Sequence, residues 1–458
     1  MKRLLVLLAV LSGCSTTADY RRPAVELPAA WKESAPRFAE DGKWWKIFGD
    51  PQLEGLVEEA LEKNADLVTA VARVDEARAL VQQAESGFYP QVSAGASATR
   101  QQISQKSPTF FPGIRNEFSD YRAGLNVSYE LDLFGRVRAG ARAARAELEA
   151  SEAAQNTVRV ALAAQVAKSY FTLRALDEQV ALTRDTVRLQ EEALVLQKKR
   201  FDAGVLSEFE YRQLEAETAS IRAQLPPLER DREREEAALL ALLGRTPQQV
   251  FEDSVERRQA TDEQPGPPAV PSGMPSELLL RRGDIVEAER TLAAANARVA
   301  LARAQMFPSI SLTGALGSES AQLSNLFSAG SGLWSLGLAL SQPIFAGGAL
   351  EAQKAAAQAR ERQALAQYQK AIQNAFSETR AALAAQARSR ESYDAESARA
   401  NALAQTLRLA RLRYDNGIAS QLDVIDSERG LLAARSARIE ALRAHRSAIA
   451  DLFRALGG

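Results

Sequence analysis

One cysteine and one histidine occur in 458 residues, and that scarcity removes most catalytic chemistries at once. Cys14 has no partner for a disulfide within the chain. His445 lies in an Ala/Arg-rich helical stretch without a cysteine or second histidine nearby, so neither a metal site nor a histidine-based triad can be assembled. It is expected at the solvated surface. No phosphate-cradling glycine loop is present, and the scattered acids read as polar helix faces rather than as general acids or bases. An enzyme is not expected, and no cofactor other than a covalent lipid. Charge of one sign is also lacking: 57 basic against 58 acidic residues argue against a nucleic-acid binder. Beyond the N-terminus no run approaches the ~18 apolar residues of a transmembrane helix. If this chain crosses a membrane, strands must do it.

The N-terminus carries a signal. Met1-Lys2-Arg3 is basic, Leu4 to Leu11 is apolar, and Leu11-Ser12-Gly13-Cys14 follows. The run is too short to remain as a spanning helix, so residues 1–13 read as a secretory signal peptide. Small residues before a cysteine resemble a bacterial lipobox, in which Cys14 is acylated and becomes the first residue. Ser15, rather than Asp, favours the outer membrane.

A duplication organises the rest. Arg200-Phe201-Asp202-Ala203-Gly204-Val205-Leu206-Ser207 is echoed by Arg413-Tyr414-Asp415-Asn416-Gly417-Ile418-Ala419-Ser420. Gly204 and Gly417 are placed to end a helix in the left-handed conformation. Ser207 and Ser420 then cap the next one, with Glu210 or Asp423 three residues on. Phe88-Tyr89-Pro90 matches Met306-Phe307-Pro308 in the same way. Helical periodicity runs through 51–87, 137–200, 207–243, 276–306, 349–414 and 420–455. The two longest stretches would reach about 95 Å at ~1.5 Å per residue, more than a compact domain needs. The expected segments are the signal 1–13, a lipidated N-terminal part 14–50, a first repeat 51–245, a Pro-rich linker 246–275 and a second repeat 276–458.

Each repeat also holds two stretches of period two, near 91–101 and 119–131, and near 309–318 and 333–342. Tyr121, Ala123, Leu125, Val127, Tyr129 and Leu131 alternate with polar or small residues, as do Trp334, Leu336, Leu338 and Leu340. Strands of ~9–11 residues with one apolar face suit a membrane barrel, although a soluble sheet packed on helices alternates likewise. Four strands cannot close a barrel, and an open edge in lipid is not viable. If they span, several chains must combine; twelve strands from three chains are the simplest closure.

Glu130-Leu131-Asp132-Leu133-Phe134-Gly135-Arg136, a strand running into a long helix, resembles the signature of the outer membrane factor family, the TolC-like exit ducts of tripartite efflux pumps. The lipobox, Asp19-Tyr20-Arg21-Arg22-Pro23, Trp44-Trp45 with Phe48 and Asp50-Pro51, and Phe307-Pro308-Ser309-Ile310-Ser311-Leu312 resemble its OprM branch. One departure is Gly283, where the family usually has proline near a helix start. The resemblance covers essentially the whole chain. It implies a mainly α fold with a small β part: a homotrimer with a 12-stranded β-barrel in the outer membrane and a 12-helix periplasmic α-barrel. It also implies an equatorial collar from residues near 15–50, the linker and the C-terminus. The implied partners are a periplasmic adaptor, met at the hairpin tips Gly204, Ser207, Gly417 and Ser420, and a proton-driven inner-membrane transporter.

Leu422, Asp426 and Arg429 fall on one helix face and match the family's periplasmic gate, with Arg429 expected to hold Asp426 by a charge-assisted hydrogen bond. The function implied is a passive exit duct for drugs or other small molecules. The alternatives are a type I protein-secretion duct and a trimeric coiled-coil surface protein.

Cys14→Ala behind a cleavable, non-lipid signal is expected to abolish fatty-acid labelling, yet still to yield some trimer in the outer membrane. Recovery of soluble periplasmic protein alone would count against the barrel as an independent hold.

Overall fold

The computed structural model describes residues 20–23, 42–106, 108, 111, 113, 115–257 and 280–458. Cys14 and most of the Pro-rich linker lie outside them. The chain falls into two compact units. One comprises Tyr20–Pro23, Arg73–Glu152 and Glu287–Gln369; the other comprises residues 42–72, 153–286 and Lys370–Gly458 within the described range.

Strands β1 (Gln91–Gln102), β2 (Glu117–Leu131), β3 (Ser309–Ser320) and β4 (Gly332–Ser341) form one antiparallel sheet in the order β1-β2-β3-β4. Register decides which side chains share a face. Ala94 pairs with Leu125, Leu125 with Leu316, and Leu316 with Trp334. Val127, Gly314 and Leu336 form the next such row, then Tyr129, Leu312 and Leu338, then Leu131, Ile310 and Leu340. One face is therefore apolar over four consecutive rows, about 20 Å along the strands at ~3.3 Å per residue. The other face carries Ser93, Ser97, Asn126, Ser128, Thr313, Ser335 and Gly337. Near its far end Arg122 pairs with Asp120 at 2.9 Å and with Glu319 at 3.0 Å.

Among the described residues no helix covers the apolar face. Trp334, Leu336, Leu338 and Leu340 are 79, 72, 70 and 68% exposed, where a soluble sheet would bury them. β1 and β4 are open edges within the chain. Gly124 and Gly317 face each other where the backbones crowd: a Cβ on Gly317 would lie 2.4 Å from the Ala123 carbonyl oxygen.

Helices occupy the rest: α1 (Pro51–Lys63), α2 (Ala65–Glu85), α3 (Arg136–Asp202), α4 (Glu208–Arg222), α5 (Leu225–Leu242), the short α6 (Pro247–Glu252), α7 (Gly283–Ala304), α8 (Ala349–Asp415) and α9 (Gln421–Leu456). Among the described residues none is long and apolar enough to cross a membrane. Two expected helices are broken. Asn64 divides 51–87, because its side chain accepts from the Asp66 and Leu67 amides and so starts α2. Pro226 and Pro227 enter where 207–243 was expected to run on; lacking amide protons, they divide it into α4 and α5. The helix expected from 276 begins at Gly283 within the described residues.

A core in the second unit joins distant segments: Trp44, Leu53, Tyr170, Leu239, Val255 and Phe453 share it. Trp44 stacks on Phe453 with centroids 5.2 Å apart. Asp50 caps α1 and accepts from the Tyr170 hydroxyl at 2.7 Å; burial first, then this bond, pushes that phenol up to about 12. His445 belongs to this unit and corrects the surface expectation. It is 2% exposed, with Nδ1 3.0 Å from the Ser389 hydroxyl. Burial, with Arg390 and Arg446, holds its pKa below the ordinary value. A small neutral ring bonded to a serine fits between packed helices, which composition alone does not reveal.

Arg282 anchors the start of α7. Its guanidinium donates to Asp284 at 3.0 Å, Glu378 at 2.9 Å and the Ala455 carbonyl at 2.6 Å, tying the entry to the end of α9. Gly283 lies flat against α3: a Cβ there would sit 2.5 Å from Thr157 Oγ1 and 2.7 Å from the Ala153 carbonyl.

Two outcomes follow from this packing. Gly283→Ala should destabilise by about 1–3 kcal/mol, the usual cost of overpacking, whereas Gly55→Ala, with open space at its Cβ, should not; thermal unfolding measures both. Lysine at Leu338 should cost about 2–4 kcal/mol if the apolar face meets lipid at mid-bilayer, while lysine at Ser335 is tolerated. Equal tolerance in an assembly-stability assay would refute the facing.

Candidate functional site

The hairpins at Gly204 and Gly417 are built alike. Each glycine has φ 72°. The Val205 and Ile418 amides donate back to the Arg200 and Arg413 carbonyls, both at 2.9 Å, closing the preceding helix. Ser207 and Ser420 form full capping boxes with Glu210 and Asp423. At Asp423 the Ser420 backbone amide, then its hydroxyl, holds the carboxyl below its usual range. At the tips Val205, Phe209 and Ile418 are exposed. Behind the first tip Phe201 stacks on Tyr211, with Lys198 and Arg212 against the tyrosine ring.

Helix α9 leaves the second tip with its faces assigned to different neighbours. Val424 and Leu431 pack on Leu407 of α8, and Leu432 packs with Val187 of α3 and Ile221 of α4. Glu428 takes Gln190 from α3 and Arg411 from α8, the latter at 2.7 Å. What remains is the face bearing Leu422, Asp426 and Arg429. Leu422 is 44% exposed, and the Asp426 and Arg429 side chains are 62% and 54% exposed.

The structure brings these three together but corrects the bond expected between two of them. Arg429 Nη1 lies 3.7 Å from Asp426, an ion pair rather than a hydrogen bond. Its principal partner is Glu217 on α4, which accepts from Nε at 2.7 Å and also from Nη2. The Glu217 side chain is only 5% exposed, so its charge needs a bound cation where Asp426, in water, does not. The bond to Glu217, more than Asp426, raises the Arg429 pKa. Sequence reasoning missed Glu217, which is 212 residues away from its partner. The one available signal was an acid flanked by Leu214, Thr218 and Ile221 on the buried stripe of α4. Chemically, the face offers an apolar residue, a solvent-exposed carboxylate in a loose ion pair, and an arginine committed chiefly to Glu217. Among the described residues no cluster suited to a metal ion occurs.

Comparison with known proteins supplies the family. The model for outer membrane efflux proteins matches residues 56–245 and 274–458. The cation efflux system protein CusC of Escherichia coli is 34% identical, the match covering 98% of this chain and 96% of that protein. The outer membrane protein OprJ of Pseudomonas aeruginosa is 36% identical over 99% of this chain and 95% of its own. The solved CmeC outer membrane channel of Campylobacter jejuni superposes with a TM-score of 0.89 at 27% identity, covering 97% of this chain and 95% of that one. An exposed apolar sheet face, duplicated helix hairpins and these matches agree: the chain is an outer-membrane protein and belongs to the outer membrane efflux protein family.

Proposed function

We propose that the protein is the passive exit duct of a tripartite efflux system, carrying drugs or other small molecules across the outer membrane. The observation that carries this reading is the four-stranded sheet, apolar on one face, small and polar on the other, and open at both edges. Three copies would close twelve strands round a water-filled lumen lined by the serine, glycine and asparagine face. A periplasmic adaptor would meet the exposed tips at Gly204, Ser207, Gly417 and Ser420, and a proton-driven inner-membrane transporter would supply the energy. Acylated Cys14 would add a lipid anchor, one chain assisting what the barrel secures.

The aperture is the α9 face. Three copies of Leu422 make an apolar constriction and three of Asp426 a carboxylate ring that attracts cations. Arg429, held by buried Glu217, fastens α9 to α4 in the resting state. Opening moves α9 outward and breaks that clasp. CusC is named for cation efflux, and cargo choice in this system is expected upstream of so wide a duct.

Planar-bilayer recording tests the aperture. Leu422→Ala with Asp426→Ala and Arg429→Ala should raise single-channel conductance several-fold. Asp426→Ala alone should remove the response to added cations. Glu217→Gln should favour open events while leaving Asp426 intact. A triple variant that conducts like the parent places the constriction elsewhere.

A further inference from the structure

The sheet ends at two open edges, and the internal duplication specifies how they meet. Pro90 corresponds to Pro308 and Gly204 to Gly417, offsets of 218 and 213 residues. The first offset relates β1 to β3. Carrying the second back along the chain relates β2 to β4, since α3 and α8 are both 67 residues long. The ladders confirm both. Gly95 pairs with Gly124, and their equivalents Thr313 and Gly337 are also paired; Ala98 pairs with Tyr121, and Leu316 with Trp334. The two hairpins therefore have the same register, residue for residue. The β2–β3 ladder joins one repeat to the next, and its counterpart is the seam from β4 to β1 of a second copy.

We infer that this seam between copies repeats the register seen between repeats, setting Leu338 opposite Ala98, Leu340 opposite Ala96 and Ile344 opposite Val92 of the next copy. The equivalents within the chain are Leu125 opposite Leu316, Val127 opposite Gly314 and Leu131 opposite Ile310. This rests on the three-copy barrel proposed above.

Two observations support that register over its neighbours. The first is depth. The apolar residues of β1 lie at 92–98, in rows that reach β3 at 314–320, yet the apolar residues of β3 lie at 310–316. The band thus slides four residues per repeat against the hydrogen-bonded rows, as tilted strands require if it is to stay level. The proposed seam continues that slide. A register slipped by two residues keeps side-chain parity, but steps the band by about 7 Å along the strand at every seam. The second is the segment after β4. β2 continues to Leu131, whose equivalent is Ile344, but β4 stops at Ser341. Ile344 and Phe345 are both 90% exposed. At the proposed seam Ile344 gains Val92 as its neighbour, as Leu131 has Ile310.

Disulfide trapping in the full-length chain tests the register. Leu338→Cys is combined in turn with Ala98→Cys, Ala96→Cys and Ala94→Cys, and membranes are oxidised before denaturing electrophoresis. Opposed side chains are close enough for a bridge with slight adjustment. Linked dimers and trimers should form chiefly with Ala98→Cys, and Leu125→Cys with Leu316→Cys should give the internal bridge as a positive control. Linkage chiefly through Ala96→Cys or Ala94→Cys overturns the register while leaving the three-copy barrel standing. No linkage in any pair, with a trimeric native mass, overturns the β4–β1 seam. A monomeric native mass overturns the three-copy reading itself.

Discussion

Backbone amides and carbonyls cannot be left unpaired in hydrocarbon, and among the described residues nothing covers the apolar face of this sheet. These two constraints govern much else in the molecule. A face of leucines and a tryptophan requires lipid; lipid forbids the open edges of β1 and β4; closure then requires further copies of the same strands. The opposite face can afford serine, asparagine and glycine because it looks into water. At Gly124 and Gly317 neighbouring backbones of the sheet approach so closely that a side chain would collide.

The helical part obeys a different rule. Helices of 67 residues need no capping along their length, only at their ends, and there the chain invests in glycine turns and capping boxes, twice over. Where helices must be held together, buried charges are paired across elements: Arg282 with Asp284 and Glu378, Arg429 with Glu217. Removing one member of such a pair leaves an uncompensated charge, so these contacts hold position more than they add stability. The contact at Arg429 lies on α9, the helix proposed above as the moving part of the aperture.

The hairpins, the alternating strands and the duplication were legible in the sequence because each depends on local chemistry. A glycine at φ 72° followed by serine and an acid announces a helix end and a helix start without reference to anything distant. Period two announces a two-faced strand, although it cannot tell lipid from a helical layer. Asn64, Pro226 and Pro227 break helices that the long periodicity around them reads as continuous.

By itself, the sequence determined the order of elements, the two repeats, and the face shared by Leu422, Asp426 and Arg429. Tertiary structure alone decided which partners those side chains take. Glu217 claims Arg429 from 212 residues away, His445 is buried against Ser389, and Gly283 is pressed onto Thr157. Each of these depends on how separate helices lie against one another. Local periodicity records which face of a helix is apolar, but not which residue of another helix will meet it.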